Sequence, residues 1–378
     1  MTQTVGPLIG LEHLIAAPQQ ARHWGRTALL TNPSGVTRDL TPAAVALQRA
    51  GIPLVKLFGP EHGVDGSGAP GEAPEAGQDG ATGLPTSVLY HLTEEEYAQR
   101  LSGLDTLLID LQDVGVRFYT YISTIRDVLR AARTLPLRVV VLDRPNPIGF
   151  TVEGPPLHPD FRSFVGVTTQ LPLRHGLTLG EVARVLAAEE GSTVEVIETD
   201  APDGWHDGRE WVPSSPNLPD LLHLRLYPGA CLVEALDASE GRGTTLPFRQ
   251  FGAPTLNAHA LAERLNALNL GVTARPAFFN PTTSKHRGER CAGVQLHENR
   301  GELRRALPLG LALFAALEEA GARRNPDWLQ KLLGVTAGSV PHTPEEVLFS
   351  LRDWQAQGHQ QALALRPHWL YPRQETDL

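Results

Sequence analysis

Residues 106–117 read TLLIDLQDVGVR. A short apolar run of strand length ends abruptly in Asp110, Gln112, Asp113 and Arg117, on a turn that contains Gly115. The same pattern recurs on either side. TALLT (27–31) runs into Asn32-Pro33-Ser34-Gly35, LVKLF (54–58) into Gly59-Pro60-Glu61-His62-Gly63, and RVVVLD (138–143) into Arg144-Pro145-Asn146. SVLY (87–90) is one more run of strand length. Helical stretches lie between them. Thr41-Pro42 sets a capping hydroxyl before a first-turn proline. Thr93 with Glu96, and Thr178 with Glu181, have the spacing of capping boxes. Residues 118–134 place Ile122, Ile125, Val128, Leu129 and Ala132 on one helical face. β-rich runs alternating with helices predict a parallel sheet covered on both faces. The expected fold is α/β: a Rossmann-like doubly wound, mostly parallel sheet with a second, smaller α/β domain and a cleft between the two.

In open α/β sheets, ligands bind beyond the carboxyl ends of the strands. Four such ends here carry carboxylate, imidazole, guanidinium and amide groups on turns stiffened by Gly and Pro, which marks that rim as the place to look for a site. Residues 59–85 add a long loop with eight glycines. It contains a formal G-x-G-x-x-G at Gly66, Gly68 and Gly71, but these glycines do not directly follow a strand, and Pro70 and Pro74 prevent them from opening a helix, so no dinucleotide site is expected. P-loop, zincin and nucleophile-elbow motifs are absent from the sequence.

The second half has a different texture, rich in proline and single aromatics. Helical patterning returns at 257–269 and 301–320. Thr343-Pro344-Glu345-Glu346 has the form of a helix start, and AGVQLHE (292–298) alternates as a strand does. We expect a first domain over 1–227, with 144–227 as bridging loops, and a C-terminal domain over 228–378. SEGRGTT (239–245) holds Glu240 beside a Gly-Arg-Gly turn, and is read either as a loop acid paired with Arg242 or as a carboxylate held at the domain cleft.

The 33 basic and 42 acidic residues give a net charge of −9, against broad nucleic-acid binding, which needs a positive footprint. No run approaches the ~20 apolar residues of a membrane span, so no membrane insertion is expected. The opening MTQTVGPLIGLEHLIAAP lacks the basic n-region of a signal peptide, so the chain is expected in the cytoplasm, or outside it if a leader was removed. Two cysteines, Cys231 and Cys291, are expected as free thiols.

From residue types alone, two chemistries remain open. Paired carboxylates hydrolyse glycosidic bonds, one donating a proton while the other stays ionised. Alternatively, Asp110, Asp113 and Asp143 hold Mg²⁺ in a metal-dependent hydrolase. A non-catalytic binding protein is a third reading. The motifs LTNPSGV, LFGPEHGVDG, DLQDVGVRFYTYISTI, VLDRPNPIG, VEGPPL, RHGLTLGEVA, SPNLPD and YPGACLVEALDASEGRGTTLPF, in this order over roughly residues 8–300, resemble the exo-β-N-acetylmuramidase family of the NamZ type.

That resemblance implies hydrolysis of terminal non-reducing N-acetylmuramic acid from peptidoglycan-derived glycans, with no cofactor. Glu61 matches the glutamate of the GPEHG motif and is the expected general acid/base. Glu240 matches that of SEGRGTT and is the expected second carboxylate, with Asp113 and Glu153 as rivals. The lactyl carboxylate of such a substrate calls for an arginine, with Arg117, Arg144 and Arg242 as candidates. Its acetamido and hydroxyl groups could meet Asn32, His62, Gln112, Asn146 and Asn217. Tyr119 and Tyr121 offer an apolar wall. Asp143, Arg174 and His175 complete the expected binding residues.

Overall fold

The computed structural model describes residues 6–69, 71, 72, 74, 76–206, 208–336, 344–375 and 378. The chain forms two compact units, one of Met1–Thr151, Gly176–Pro216 and Leu363–Leu378, the other of Val152–His175 and Asn217–Ala362. Sequence texture suggested a division at 227/228. Within the fold the chain passes between the two compact units at 151/152, 175/176, 216/217 and 362/363, as packing returns later segments to the earlier sheet.

Helix α1 (Gly10–Ala16) precedes β1 (Thr27–Thr31), α2 (Ala43–Arg49) and β2 (Leu54–Gly59). A two-residue strand β3 (Gly77–Gln78) lies within the glycine-rich loop, followed by β4 (Pro85–Val88), α3 (Glu94–Leu101), β5 (Thr106–Asp110), α4 (Tyr121–Ala132) and β6 (Arg138–Leu142). The chain then builds an antiparallel pair, β7 (Glu153–Pro156) and β8 (Pro172–Arg174), in the second unit. It returns to the first with α5 (Leu179–Glu190) and β9 (Glu195–Ile197). The second unit continues with α6 (Leu221–Ala230), β10 (Gln250–Ala253), α7 (Ala258–Ala267), β11 (Val272–Phe279), β12 (Cys291–Glu298), α8 (Ala306–Glu319), α9 (Pro326–Leu333) and α10 (Pro344–Ala364).

The first unit holds a seven-stranded sheet in the order β3-β4-β2-β1-β5-β6-β9, parallel except for β3 against β4. Every residue of β1 and β5 is buried, as expected for strands covered on both faces. Leu29, Leu57, Leu108, Val140 and Leu142 contribute to the core together with Leu11 and Leu14 of α1 and Leu47 of α2. The fold is the doubly wound α/β arrangement anticipated. After β1 the chain builds outward to β2 and β4, and then β5 lands on the opposite side of β1. A reversal of this kind is where open α/β sheets bind ligands, and here it falls between β1, which runs into Asn32, and β5, which runs on to Gln112.

Both expected capping boxes form, with Thr93 and Thr178 accepting from the backbone N–H of Glu96 and Glu181. The cap expected from Thr41 does not. Helix α2 begins one residue later, with Pro42 at its N-cap and no side-chain cap bond, while the Thr41 carbonyl closes a turn with the backbone N–H of Thr37. Residues 118–120 lie ahead of α4 rather than in it. The run 87–90 is strand only as far as Val88. Thr343, the expected cap of α10, lies outside the described residues.

A tail segment secures the C-terminal end of β6. Asp143 is fully buried and accepts from Thr178 Oγ1 (2.6 Å), Tyr371 OH (2.6 Å), Gly180 N (2.8 Å) and Arg144 N (3.0 Å). The Tyr371 hydroxyl in turn accepts from Thr199 N at 3.0 Å. Arg373 hydrogen-bonds Glu181 and donates to the Gly176 carbonyl, with its guanidinium over the Phe150 ring.

In the second unit, the antiparallel sheet β10-β12-β11 packs against α7. Helices α6 and α8 approach so closely that a Cβ on Gly310 would lie 2.3 Å from Gly229 Cα, and one on Gly229 would lie 2.0 Å from the Ala306 carbonyl oxygen. Cys231 and Cys291 are both buried and unbridged. Among the described residues, no helix is long and apolar enough to cross a membrane.

Two stability outcomes follow from this packing. Burial raises the Asp143 pKa to about 6, from 3.8 when unfolded. Between those values only the native state keeps the proton, so this group's contribution to stability falls as pH rises through about 6. Tyr371 supports the ionised form, so Tyr371→Phe should cost about 1.5–3 kcal/mol at pH 8 and less at pH 5, read from urea unfolding at both values. Gly310→Ala should gain about 1 kcal/mol from helix propensity yet lose about 1–3 kcal/mol to overpacking. Thermal unfolding should show a net loss, and an unchanged or higher Tm would contradict the close helix contact.

Candidate active site

Strand β2 delivers Glu61 to the rim of the sheet. Gly63 N–H bonds back to the Pro60 carbonyl at 2.9 Å. A Cβ at Gly59 would sit 2.3 Å from the Gly63 carbonyl carbon, so only glycine admits so tight a turn. His62 adopts φ 72°, left-handed for a non-glycine residue, a conformation that persists only when its surroundings fix it. They do so here: buried His62 donates from Nδ1 to the Gly68 carbonyl at 2.8 Å, and its Nε2 faces Ser215 Oγ at 3.4 Å. Glu61 itself is half-buried. Its Oε2 accepts from Thr120 Oγ1 at 2.5 Å, and its Oε1 from Gly71 N at 2.8 Å. Tyr90 lies beside it. Burial, the Glu61 charge and a hydrogen bond to that carboxylate hold the Tyr90 phenol well above its ordinary pKa.

Next to this carboxylate, the end of β1 and the start of α4 share a buried polar network. Asn32 Nδ2 donates to Tyr121 OH (2.6 Å) and to the Ser214 carbonyl (3.0 Å), while its Oδ1 accepts from Ser34 Oγ at 2.6 Å. Tyr121 OH donates to the same Ser214 carbonyl, and Tyr119 OH to Ser214 Oγ at 2.9 Å. The two tyrosine rings lie 4.5 Å apart. The structure therefore gathers Glu61, His62, Asn32, Tyr119 and Tyr121 into one region of the first unit.

Other expected residues are committed to the fold. Arg144 makes a bidentate pair with Asp110 (2.6 and 2.9 Å) and donates to the Val36 carbonyl, with both side chains buried. Asn146 bridges the Leu177 carbonyl and Ile148 N. Asp143 is taken up by the tail, as described above. Asp113 Oδ2 accepts from Gly115 N at 2.7 Å. Gln112 donates to two carbonyls, of Asp113 and Pro145, and among the described residues its buried Oε1 meets no hydrogen-bond partner. Arg117 is buried, and desolvation lowers its pKa to about 9. The strand-end aspartates thus do not gather as a metal site would require, and among the described residues no group of three or more His, Cys, Asp and Glu is placed to hold an ion.

In the second unit, Glu240 is buried between two cations, Arg242 Nε at 3.2 Å and Lys285 Nζ at 3.1 Å. Arg242 also pairs with Glu234 at 2.7 Å and lies over the Phe248 ring. Lys285 further donates to the Glu234 carbonyl at 2.9 Å. Glu153 is occupied in holding the second unit together, since it accepts from Arg174 (2.7 Å) and from Ala306 N and Leu307 N, capping α8. His175 is buried and Asn217 half-buried.

Sequence reasoning did not single out Thr120, Tyr90, Ser214, Ser215 or Lys285. Thr120 fell inside an expected helix and Tyr90 inside an expected strand. The proline-rich WVPSSPNLPD stretch was a usable signal for the two serines. The site's parts offer a fixed, half-exposed carboxylate with lone pairs to spare, suited to proton transfer.

Residues 27–222 match the family model for the N-terminal part of the exo-β-N-acetylmuramidase NamZ, and residues 225–340 match that for its C-terminal part. A relative from Bacillus subtilis (strain 168), the peptidoglycan β-N-acetylmuramidase NamZ, is 38% identical over 319 residues, covering 82% of this chain and 77% of that protein. Two crystal structures of DUF1343-family proteins from Bacteroides fragilis are similar throughout. One has a TM-score of 0.84 at 30% identity, covering 97% of this chain and 100% of that one. The other has a TM-score of 0.77 at 26% identity, covering 97% and 99%. With both family models matched and a relative this similar over most of its length, the chain belongs to the exo-β-N-acetylmuramidase NamZ family of glycoside hydrolases.

Proposed function

We propose that this protein releases terminal non-reducing N-acetylmuramic acid from peptidoglycan-derived glycans, with Glu61 as the general acid/base. The observation that carries the reading is the Glu61 carboxylate, half-buried at the carboxyl edge of the parallel sheet and hydrogen-bonded on each oxygen. The peptidoglycan substrate of the Bacillus subtilis relative supports the substrate class. Cleaving a glycosidic bond needs a proton delivered to the leaving oxygen, and a base to activate whatever attacks the anomeric carbon. A carboxyl group on a rigid turn, open on one side, suits that exchange.

Glu240 is the proposed second carboxylate. Arg242 and Lys285 hold its carboxylate in place. Glu153 is set aside because both its oxygens cap α8. Asn32, Tyr119 and Tyr121 are proposed to shape the wall of the sugar site, since their polar atoms already bond to one another and to Ser214.

A 4-nitrophenyl β-N-acetylmuramide tests this directly. The wild-type chain should release nitrophenolate, and EDTA should not change the rate. Glu61→Gln, nearly the same shape, should lower kcat by about 10²–10⁴-fold while keeping the thermal transition. Full turnover in that variant would remove Glu61 from the reaction. Tight binding of the muramide by the wild-type chain, with no product by mass spectrometry, would make the protein a binder.

A further inference from the structure

We propose that Thr120, assisted by Tyr90, is a positioning residue that aims the Glu61 carboxylate. This rests on the reading of Glu61 as the proton-transferring group. Thr120 occupies the N-cap position of α4, where a threonine hydroxyl ordinarily accepts from a backbone N–H of the first turn. Here its backbone is already in the right-handed helical region, and the side chain makes no cap bond. The hydroxyl reaches instead across 59 residues of sequence to Glu61 Oε2, at 2.5 Å. The helix forgoes a stabilising cap, and the carboxylate gains a donor.

The residues on either side keep Thr120 in place. The hydroxyls of Tyr119 and Tyr121 both bond to Ser214, one to its Oγ and the other to its carbonyl. The backbone between them is thereby pinned, and the threonine has little freedom to turn away. Buried Tyr90 adjoins the same carboxylate, and burial together with the Glu61 charge raises its phenol pKa. The Gly71 N–H holds Oε1. Donors on both oxygens fix the plane of the carboxyl group, the degree of freedom that an exposed glutamate otherwise leaves loose. Proton transfer depends steeply on such alignment.

The test uses the full chain and the 4-nitrophenyl muramide, with kcat and KM measured separately and the thermal transition followed by circular dichroism. Thr120→Val keeps the shape and removes the donor. It should lower kcat by about 10- to 100-fold with KM nearly unchanged and the thermal transition kept, since no cap bond is lost. Thr120→Ser restores the hydroxyl and should recover most of that activity. Tyr90→Phe should show a smaller loss, again in kcat. Wild-type kcat in Thr120→Val, a loss confined to KM, or Thr120→Ser as inactive as Thr120→Val would each overturn the proposal. A Thr120→Val chain that does not fold would also overturn it, by assigning the hydroxyl to the fold. Glu61→Gln run alongside separates the two levels. If it is inactive while Thr120→Val is fully active, only the positioning role falls. If Glu61→Gln is fully active, both fall.

Discussion

A parallel sheet buried on both faces leaves no room for polar chemistry along its strands, and that constraint organises the first unit. β1 and β5 are buried over their whole length, with threonines and Asp110 confined to their first and last residues, so the polar groups they introduce lie at or beyond their ends. The turns that follow are therefore crowded with polar side chains competing for partners. The structure resolves the competition by assigning most of them to each other. Arg144 takes Asp110, Asn146 takes the Leu177 carbonyl, and Asp143 takes Thr178 and Tyr371. Glu61 differs from these in being half-exposed while its donors hold it in place.

This pairing explains what could be read in advance and what could not. The strands, the alternation and the capping boxes at Thr93 and Thr178 depend on neighbours within a few residues, so residue order alone displays them. The cap expected of Thr41 failed because the helix starts one residue later, which puts Pro42 at the N-cap position, and the Thr41 carbonyl serves a local turn. At the site, Glu61 was visible because a Gly-Pro before it and a glycine after it confine it to a tight turn. Arg144 and Glu153 looked equally like site residues. Their partners, Asp110 at 34 residues and Leu307 at 154 residues along the chain, become neighbours only through the tertiary fold. A buried ion pair and a reactive carboxylate use the same residue types, and only the partner distinguishes them.

Thr120 is the reverse case. A threonine at the head of a helix has an ordinary local explanation, so nothing in its immediate sequence sets it apart. Its unusual feature is a missing cap bond together with a long-range one, and both are properties of coordinates. Buried networks of this kind make single substitutions expensive, because each removed group leaves another without its partner. Asn32 illustrates this: it serves Tyr121, Ser214 and Ser34 at once.

The tail that returns to Asp143 bears on how the protein is made. Because Tyr371 and Arg373 complete the environment of β6 and α5, a nascent chain on the ribosome cannot finish this sheet until those two residues have emerged. Contacts spanning 228 residues, as between Asp143 and Tyr371, slow folding through the entropy of closing so large a loop. In the interval the second unit's segments are synthesised while Asp143 lacks its tyrosine, so a stop placed before Tyr371 would damage a sheet whose strands were translated long before it.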